Sequence, residues 1–223
     1  MFRLFSKIWR PFLLMAFVLF VILPVLALFV SPPSTLMLGR WMTGQRVERH
    51  AVPLARMGRF IPQMVLVAED ARFCLHSGVD WQEMSKVIND TSGPRRGAST
   101  LPMQTAKNLY LWPGRSYVRK ALEIPLAYGL SALWSKRRML EIYLNMAEWG
   151  EGIFGVEAAA QHYFHTSSDR LTRQQVAQLI TALPDPLHRN AAKPTHRHLA
   201  LARALMARVG REPHVMKCIE RRE

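Results

Sequence analysis

The chain has 223 residues, 49% of them hydrophobic, which is enough to bury a core; a wholly disordered chain is excluded, and the length fits one domain with a short appendage. Thirty Lys and Arg against 16 Asp and Glu give a formal net charge of +14, pointing to a polyanionic partner: nucleic acid, an anionic membrane surface or a phosphorylated substrate. Two cysteines exclude a disulfide framework; Cys74 and Cys218 read as free or buried thiols, with one long-range bridge the lesser reading, and neither has zinc-finger spacing.

Phe12 to Val30 is an uncharged apolar run of 19 residues, close to the ~20 that span a bilayer core. Arg3, Lys7 and Arg10 precede it, and no acidic residue occurs before Glu48. That charge bias places residues 1–10 in the cytoplasm, 11–30 across the membrane as an anchor, and the remainder outside. Val25-Leu26-Ala27 has the small-residue spacing of a signal-peptide cleavage site, but the apolar run continues to Val30, which favours an uncleaved anchor. Only three of the thirty basic residues precede position 31, so the positive excess belongs to the exported part. There it meets anionic lipid head groups and lipid-linked phosphates rather than nucleic acid.

Residues 31–44 read as a linker or membrane-proximal segment opening on Ser31-Pro32-Pro33, and 36–60 as mixed and basic with helical turns. The domain proper runs over 45–223. Helical periodicity recurs at 61–76, 80–90, 100–110, 116–147, 153–164, 171–182 and 195–209, punctuated at Gly93-Pro94, Pro113-Gly114, Gly150 to Gly155 and Pro184-Asp185-Pro186. Strand alternation is almost absent, so the fold class is mostly α.

Three segments carry candidate chemistry. At 68–80, Glu69, Phe73 and His76 fall at i, i+4 and i+7, one face of a continuous helix, and Glu69-Asp70 emerge from the apolar Met64-Val65-Leu66. A carboxylate at the edge of apolar surroundings suits a general base acting on an alcohol. At 97–108, Ser99 or Thr100 is an N-cap, Pro102 suits the first turn, and Gln104, Lys107 and Asn108 form a polar stripe in which Lys107 suits a phosphate. At 116–123, Arg119 or Lys120 pairs with Glu123 at helical spacing. Singly, each also reads as an ordinary helix end, capped helix or surface ion pair. His162 and His165, like His196 and His198, lack an identifiable third metal ligand.

Taken in order, the segments resemble the peptidoglycan glycosyltransferases of family 51. The pattern E-D-x-x-F-x-x-H-x-G falls on Glu69, Asp70, Phe73, His76 and Gly78. G-x-S-T-x-x-x-Q-x-x-K-N falls on Gly97, Ser99, Thr100, Gln104, Lys107 and Asn108, and R-K-x-x-E on Arg119, Lys120 and Glu123. Lys136, Leu140-Glu141, Tyr143-Leu144-Asn145, then Gly155 to Ala160 with Tyr163-Phe164, complete the series over roughly residues 45–210. The family pattern S-T-x-T-Q-Q reads here Ser99-Thr100-Leu101-Pro102-Met103-Gln104, which replaces two polar residues expected beside the cleft. With a single anchor, the chain looks like the monofunctional biosynthetic type.

The resemblance implies a lysozyme-like α domain with a small membrane-proximal lobe. It implies polymerisation of lipid II by attack of a GlcNAc 4-hydroxyl on the anomeric carbon of the lipid-linked chain, releasing undecaprenyl pyrophosphate with inversion. Glu69 would be the base and Glu123 the second catalytic acid residue. Asp70, Phe73, His76, Ser99, Thr100, Gln104, Lys107, Asn108, Arg119 and Lys120 would bind substrate. A loosely held divalent cation, Mg or Mn, would sit near Glu123. The expected partners are lipid II, the growing glycan chain, the bacterial inner membrane and other cell-wall synthesis proteins, with no nucleic acid. Two other readings are a lytic lysozyme-like enzyme, which needs a general acid for a sugar leaving group, and a catalytically idle tethered scaffold, for which Pro102 and Met103 are the support.

Overall fold

A computed structural model describes residues 10, 11, 14, 15, 17–89, 97–114, 116–212 and 214–220. Residues 1–9 of the expected cytoplasmic flank, parts of the expected anchor, and Gly93-Pro94 lie outside the described residues. A π-helical turn, Val18–Ile22, leads into α1, Leu23–Leu26. Then follow α2 (Thr35–Met42), β1 (Glu48–Arg49), a 3₁₀ turn (Leu54–Arg56), α3 (Phe60–Glu69), a second 3₁₀ turn (Phe73–Leu75), α4 (Trp81–Asn89), α5 (Leu101–Tyr110), α6 (Tyr117–Leu133) and α7 (Lys136–Met146). The hairpin of β2 (Glu148–Gly150) and β3 (Ile153–Phe154) precedes α8 (Val156–Phe164), a third 3₁₀ turn (Ser168–Arg170), α9 (Arg173–Ala182), α10 (His196–Val209) and α11 (Lys217–Glu220).

The mostly helical expectation holds, and six of the eleven described helices carry a Ser or Thr cap. Ser34, Thr100, Ser116, Ser135, Thr172 and Thr195 each accept a backbone N–H from the first turn of the helix that follows. Two expected helices divide. The 116–147 run breaks at Trp134, which is extended, and Ser135 caps the next helix. The 61–76 run ends at Glu69, with Asp70 outside the helical region at φ −157° and ψ 71° and a 3₁₀ turn after it. Glu69, Phe73 and His76 therefore do not share one helix face. The three-stranded sheet, order β1-β3-β2 with β1 parallel and β2 antiparallel to β3, was not expected. Strands of two or three residues are too short to carry an alternating pattern.

The main core gathers α3, α7, α8, α9 and α10 around fully buried Phe73, Leu66, Leu140, Trp149 and Phe154. Pro102 and Met103 are buried in α5, and Met103 packs in a smaller core cluster with Val79, Met84 and Ala127. These two departures from the family pattern therefore fill interior space instead of facing the cleft, which removes the support for an idle scaffold.

Among the described residues no helix is long and apolar enough to cross a membrane. The end of the apolar N-terminal run is clasped to the domain. Trp134 Nε1 donates to Pro24 O at 2.8 Å, Arg138 to Ala27 O and Val30 O at 2.8 Å each, and Arg49 to Ser31 O at 2.7 Å. These cations and the indole satisfy carbonyls that the helix end leaves open.

Cys74 and Cys218 form a disulfide across 144 residues of sequence, with Cα atoms 5.5 Å apart. This corrects the reading of free thiols: pattern and spacing carry no information about which distant segments meet. Replacing both with Ser is expected to lower the unfolding free energy by up to about 5 kcal/mol, the chain-entropy value for a loop of this length. Calorimetry of the double variant reads it, and an unchanged unfolding midpoint would refute it.

Candidate active site

The apolar helix α3 buries Ile61, Met64, Val65, Leu66 and Val67 and delivers Glu69 to the edge of a cleft of about 1320 Å³. Glu69 is half-buried. Gln104, one helical turn beyond the Thr100 cap of α5, donates from Nε2 to Glu69 Oε2 at 3.1 Å. Its Oε1 accepts the Tyr143 hydroxyl at 3.1 Å. Tyr143 is fully buried, and burial first, then the charges of Glu69 and Asp70, push its phenol well above the ordinary value. The phenol stays a donor, so Tyr143 fixes the Gln104 amide and the amide fixes the carboxylate. Gln104 thus orients Glu69, and it lines the cleft beside it. Tyr143, which the sequence places in the family series without a role, is a member of the site.

Asp70, beside Glu69, has interior partners. Oδ2 accepts the Leu101 N–H at 2.9 Å, and Oδ1 lies 2.9 Å from His76 Nε2. His76 Nδ1 accepts the Gly78 N–H at 3.2 Å, so the proton sits on Nε2 and points to Asp70. Thr100 Oγ1 donates to Gly78 O at 2.5 Å and caps α5. Gly78 has φ +130°, and a Cβ there would meet the Ala127 backbone at 3.1 Å, so glycine is needed where the loop crosses α6. Lys136 Nζ donates to Phe73 O at 2.6 Å and His76 O at 2.5 Å and lies 4.3 Å over the Phe73 ring. Burial lowers its pKa against the pull of Asp70.

Four expected substrate contacts have interior partners, although Asp70 and Thr100 also line the cleft. Phe73 is 0% exposed and belongs to the core, and Asp70, His76 and Thr100 are spent on one another and on backbone. They brace the loop that follows Glu69. Ser99 does line the cleft. Asn108 is half-buried, and its backbone carbonyl accepts the Thr35 hydroxyl at 3.2 Å.

The basic residues gather where α5 meets α6. Arg119 Nη1 lies 3.0 Å from Glu123 Oε1, with the two side chains 12% and 4% exposed. The pair is ionic without hydrogen-bond geometry, and buried Arg119 Nε and Nη1 have no hydrogen-bond partner among the described residues. Burial raises the Glu123 pKa, opposed by Arg119, Lys107 and Lys120. Burial lowers that of Lys107; Arg119 lowers it further, and Glu123 and Glu69 oppose. Lys107 therefore feels both carboxylates and lies electrostatically between them.

The donor set does not fit a resident divalent cation. Glu123 is a single carboxylate already paired with a guanidinium and surrounded by lysines. Among the described residues no three His, Cys, Asp or Glu are grouped to hold a metal. The positive charge at this end of the site is supplied by Lys107, Arg119 and Lys120.

This arrangement has relatives. Residues 36–210 match the family described as Transglycosylase. A "Biosynthetic peptidoglycan transglycosylase" of Agrobacterium fabrum is 51% identical over 178 residues, covering 78% of this chain and 79% of that one. The protein of the same name from Brucella suis is 46% identical over 211 residues, 91% of this chain and 94% of its own. That from Rhizobium meliloti is 47% identical over 193 residues, 86% and 82%.

Proposed function

This chain belongs to the transglycosylase family, and on that premise we propose that it is a peptidoglycan glycosyltransferase that polymerises lipid II into linear glycan strands. The 4-hydroxyl of an incoming GlcNAc attacks the anomeric carbon of the lipid-linked chain. The new C–O bond forms as the bond from that carbon to the pyrophosphate oxygen breaks, and the hydroxyl proton passes to Glu69. Undecaprenyl pyrophosphate leaves as an anion with inversion at carbon.

The observation that supports this reading best is the pairing of an oriented carboxylate with a cation cluster. Glu69 is held by Gln104, and beyond Lys107 stand buried Arg119 donors with no hydrogen-bond partner among the described residues. Such donors suit a leaving pyrophosphate, whose charge needs neutralising in a partly water-excluded site. A lytic enzyme would instead need an acid for a sugar leaving group and has no use for those cations. Glu123 pairs with Arg119 and opposes the loss of charge that burial imposes on Lys107. Polymerisation of fluorescent lipid II in detergent tests the reaction; no polymer, or cleavage of preformed glycan, would overturn it.

The pH profile carries a second test. Lys107 has a lowered pKa, so as pH rises it gives up its charge before pH 10.5, the ordinary lysine value, is reached. Activity should fall as pH rises through that lower value. The unfolded chain binds more protons than the folded one in this window, so this group's contribution to stability rises with pH there, and the activity loss is not unfolding. Lys107→Arg is expected to shift the alkaline limb of kcat/KM upward; a limb that does not move refutes the assignment.

The membrane anchor and an extracytoplasmic site are part of the proposal. Their support is the apolar run with its basic flank and the exposure of Phe17, Phe29 and Val30. The disulfide adds to it, since such bonds persist outside the reducing cytoplasm. A lysozyme-like division with a small lobe toward the membrane, and contacts with other wall-synthesis proteins, belong to the same proposal.

A further inference from the structure

The cleft beside Glu69 has a wall that lies beyond the family match. The match ends at residue 210, yet Glu212, Val215, Lys217 and Cys218 line the same cavity as Glu69 and Ser99. This strap is firmly held. Cys218 is bonded to Cys74, and its N–H donates to Cys74 Sγ at 3.2 Å. Val215 and Ile219 are buried, and Arg137 donates to Ile219 O at 3.3 Å. With positions 215, 218 and 219 turned inward, Lys217 stays on the exposed side, over the cleft.

The charges in the cleft make Lys217 distinctive. Among the described residues its lining holds the carboxylates of Glu69, Asp70, Asp80, Glu83 and Glu212 and two permanent cations, Arg72 and Lys217. Arg72 is held by Asp80 at 2.8 Å, whereas Lys217 makes no ion pair among the described residues. Lys107, Arg119 and Lys120, assigned above to the leaving pyrophosphate, do not line this cavity. The cleft therefore has a separate positive charge, fixed on a short tether. Its volume of about 1320 Å³ exceeds the ~300–1,000 Å³ of common small-ligand pockets, leaving room for a sugar and a chain attached to it.

We propose that the disulfide-tethered strap is a binding wall for the incoming disaccharide, and that Lys217 binds a carboxylate on the peptide carried by the sugar next to the attacking one. This rests on the glycosyl-transfer reading above, because the sugar beside Glu69 is the one whose hydroxyl is deprotonated. In the incoming disaccharide the sugar adjoining the attacking GlcNAc bears a peptide ending in carboxylate, and the charge-assisted contact it offers an ammonium is among the stronger hydrogen bonds. The bridge to Cys74 limits the ordering cost of that contact, since the strap is already in place before substrate arrives.

The test is equilibrium binding of the oxidised full chain in detergent to two 4-deoxy lipid II analogues, which cannot attack. One has free peptide carboxylates, and in the other they are amidated. Wild type is expected to bind the free form about tenfold more tightly. Lys217→Ala should abolish that preference and Lys217→Arg retain it. Cys74→Ser/Cys218→Ser, checked for native circular dichroism, should lose it as well. Equal affinities in wild type, or a preference that survives Lys217→Ala, would overturn the proposal; a preference kept without the bridge would overturn the tether. Polymerisation of ordinary lipid II is read separately, so failure of the transfer reaction is distinguishable from failure of the strap.

Discussion

Glu69→Gln is expected to lower glycan polymerisation by about 10²–10⁴-fold, the range of a lost general base, while lipid-linked substrate still binds. The substitution keeps size and the capacity to meet Gln104, so the loop held by Asp70, His76 and Lys136 should stay folded. What it removes is the acceptor for the hydroxyl proton. The effect should fall on kcat, since a base acts as the bond forms and contributes little to the ground-state complex. Gln104→Leu is the companion variant. It leaves Glu69 in place but without the amide that aims it, and leaves the Tyr143 hydroxyl without its acceptor. A smaller loss of kcat is expected there. Single-turnover rates with substrate binding measured in parallel decide both; full polymerisation by Glu69→Gln would remove Glu69 from the reaction.

Glu123→Ala is expected to cost stability as well as activity. The Arg119–Glu123 pair is nearly enclosed, and Lys107 and Lys120 stand around the same carboxylate. Removing one partner of a buried pair leaves an uncompensated charge, worth about 3–5 kcal/mol. A drop in unfolding midpoint together with weaker binding of the lipid pyrophosphate is the expected result. Replacing Arg119 and Glu123 together with Met should recover much of the stability, because no buried charge is then stranded, but none of the activity. Wild-type stability in Glu123→Ala would show that solvent compensates the cluster, and normal turnover would end its role at the site. Glu69→Gln and Glu123→Ala therefore separate by signature: the first slows chemistry on an intact protein, the second loosens the cation cluster.

The sequence by itself determined the helical class, most helix starts and the residues that meet at the site. Those are local properties: a Ser or Thr cap followed by an apolar stripe needs no distant partner, and the ordered acidic and basic positions around Glu69, Lys107 and Glu123 are read directly along the chain. Tertiary structure decided the rest. Helix α3 stops at Glu69 because Asp70 turns to the Leu101 N–H and to His76, partners 31 and 6 positions away. Gln104 becomes a support for Glu69 only once Tyr143 is beneath it, 39 positions on. Phe73 and Met103, one within the family pattern and one departing from it, are both core because of what packs around them. The Cys74–Cys218 bridge and the strap it holds over the cleft depend on contacts spanning 144 residues. Local periodicity encodes which face of an element is apolar; which faces meet is fixed only when the whole core closes, and side-chain roles at the cleft follow from that closure.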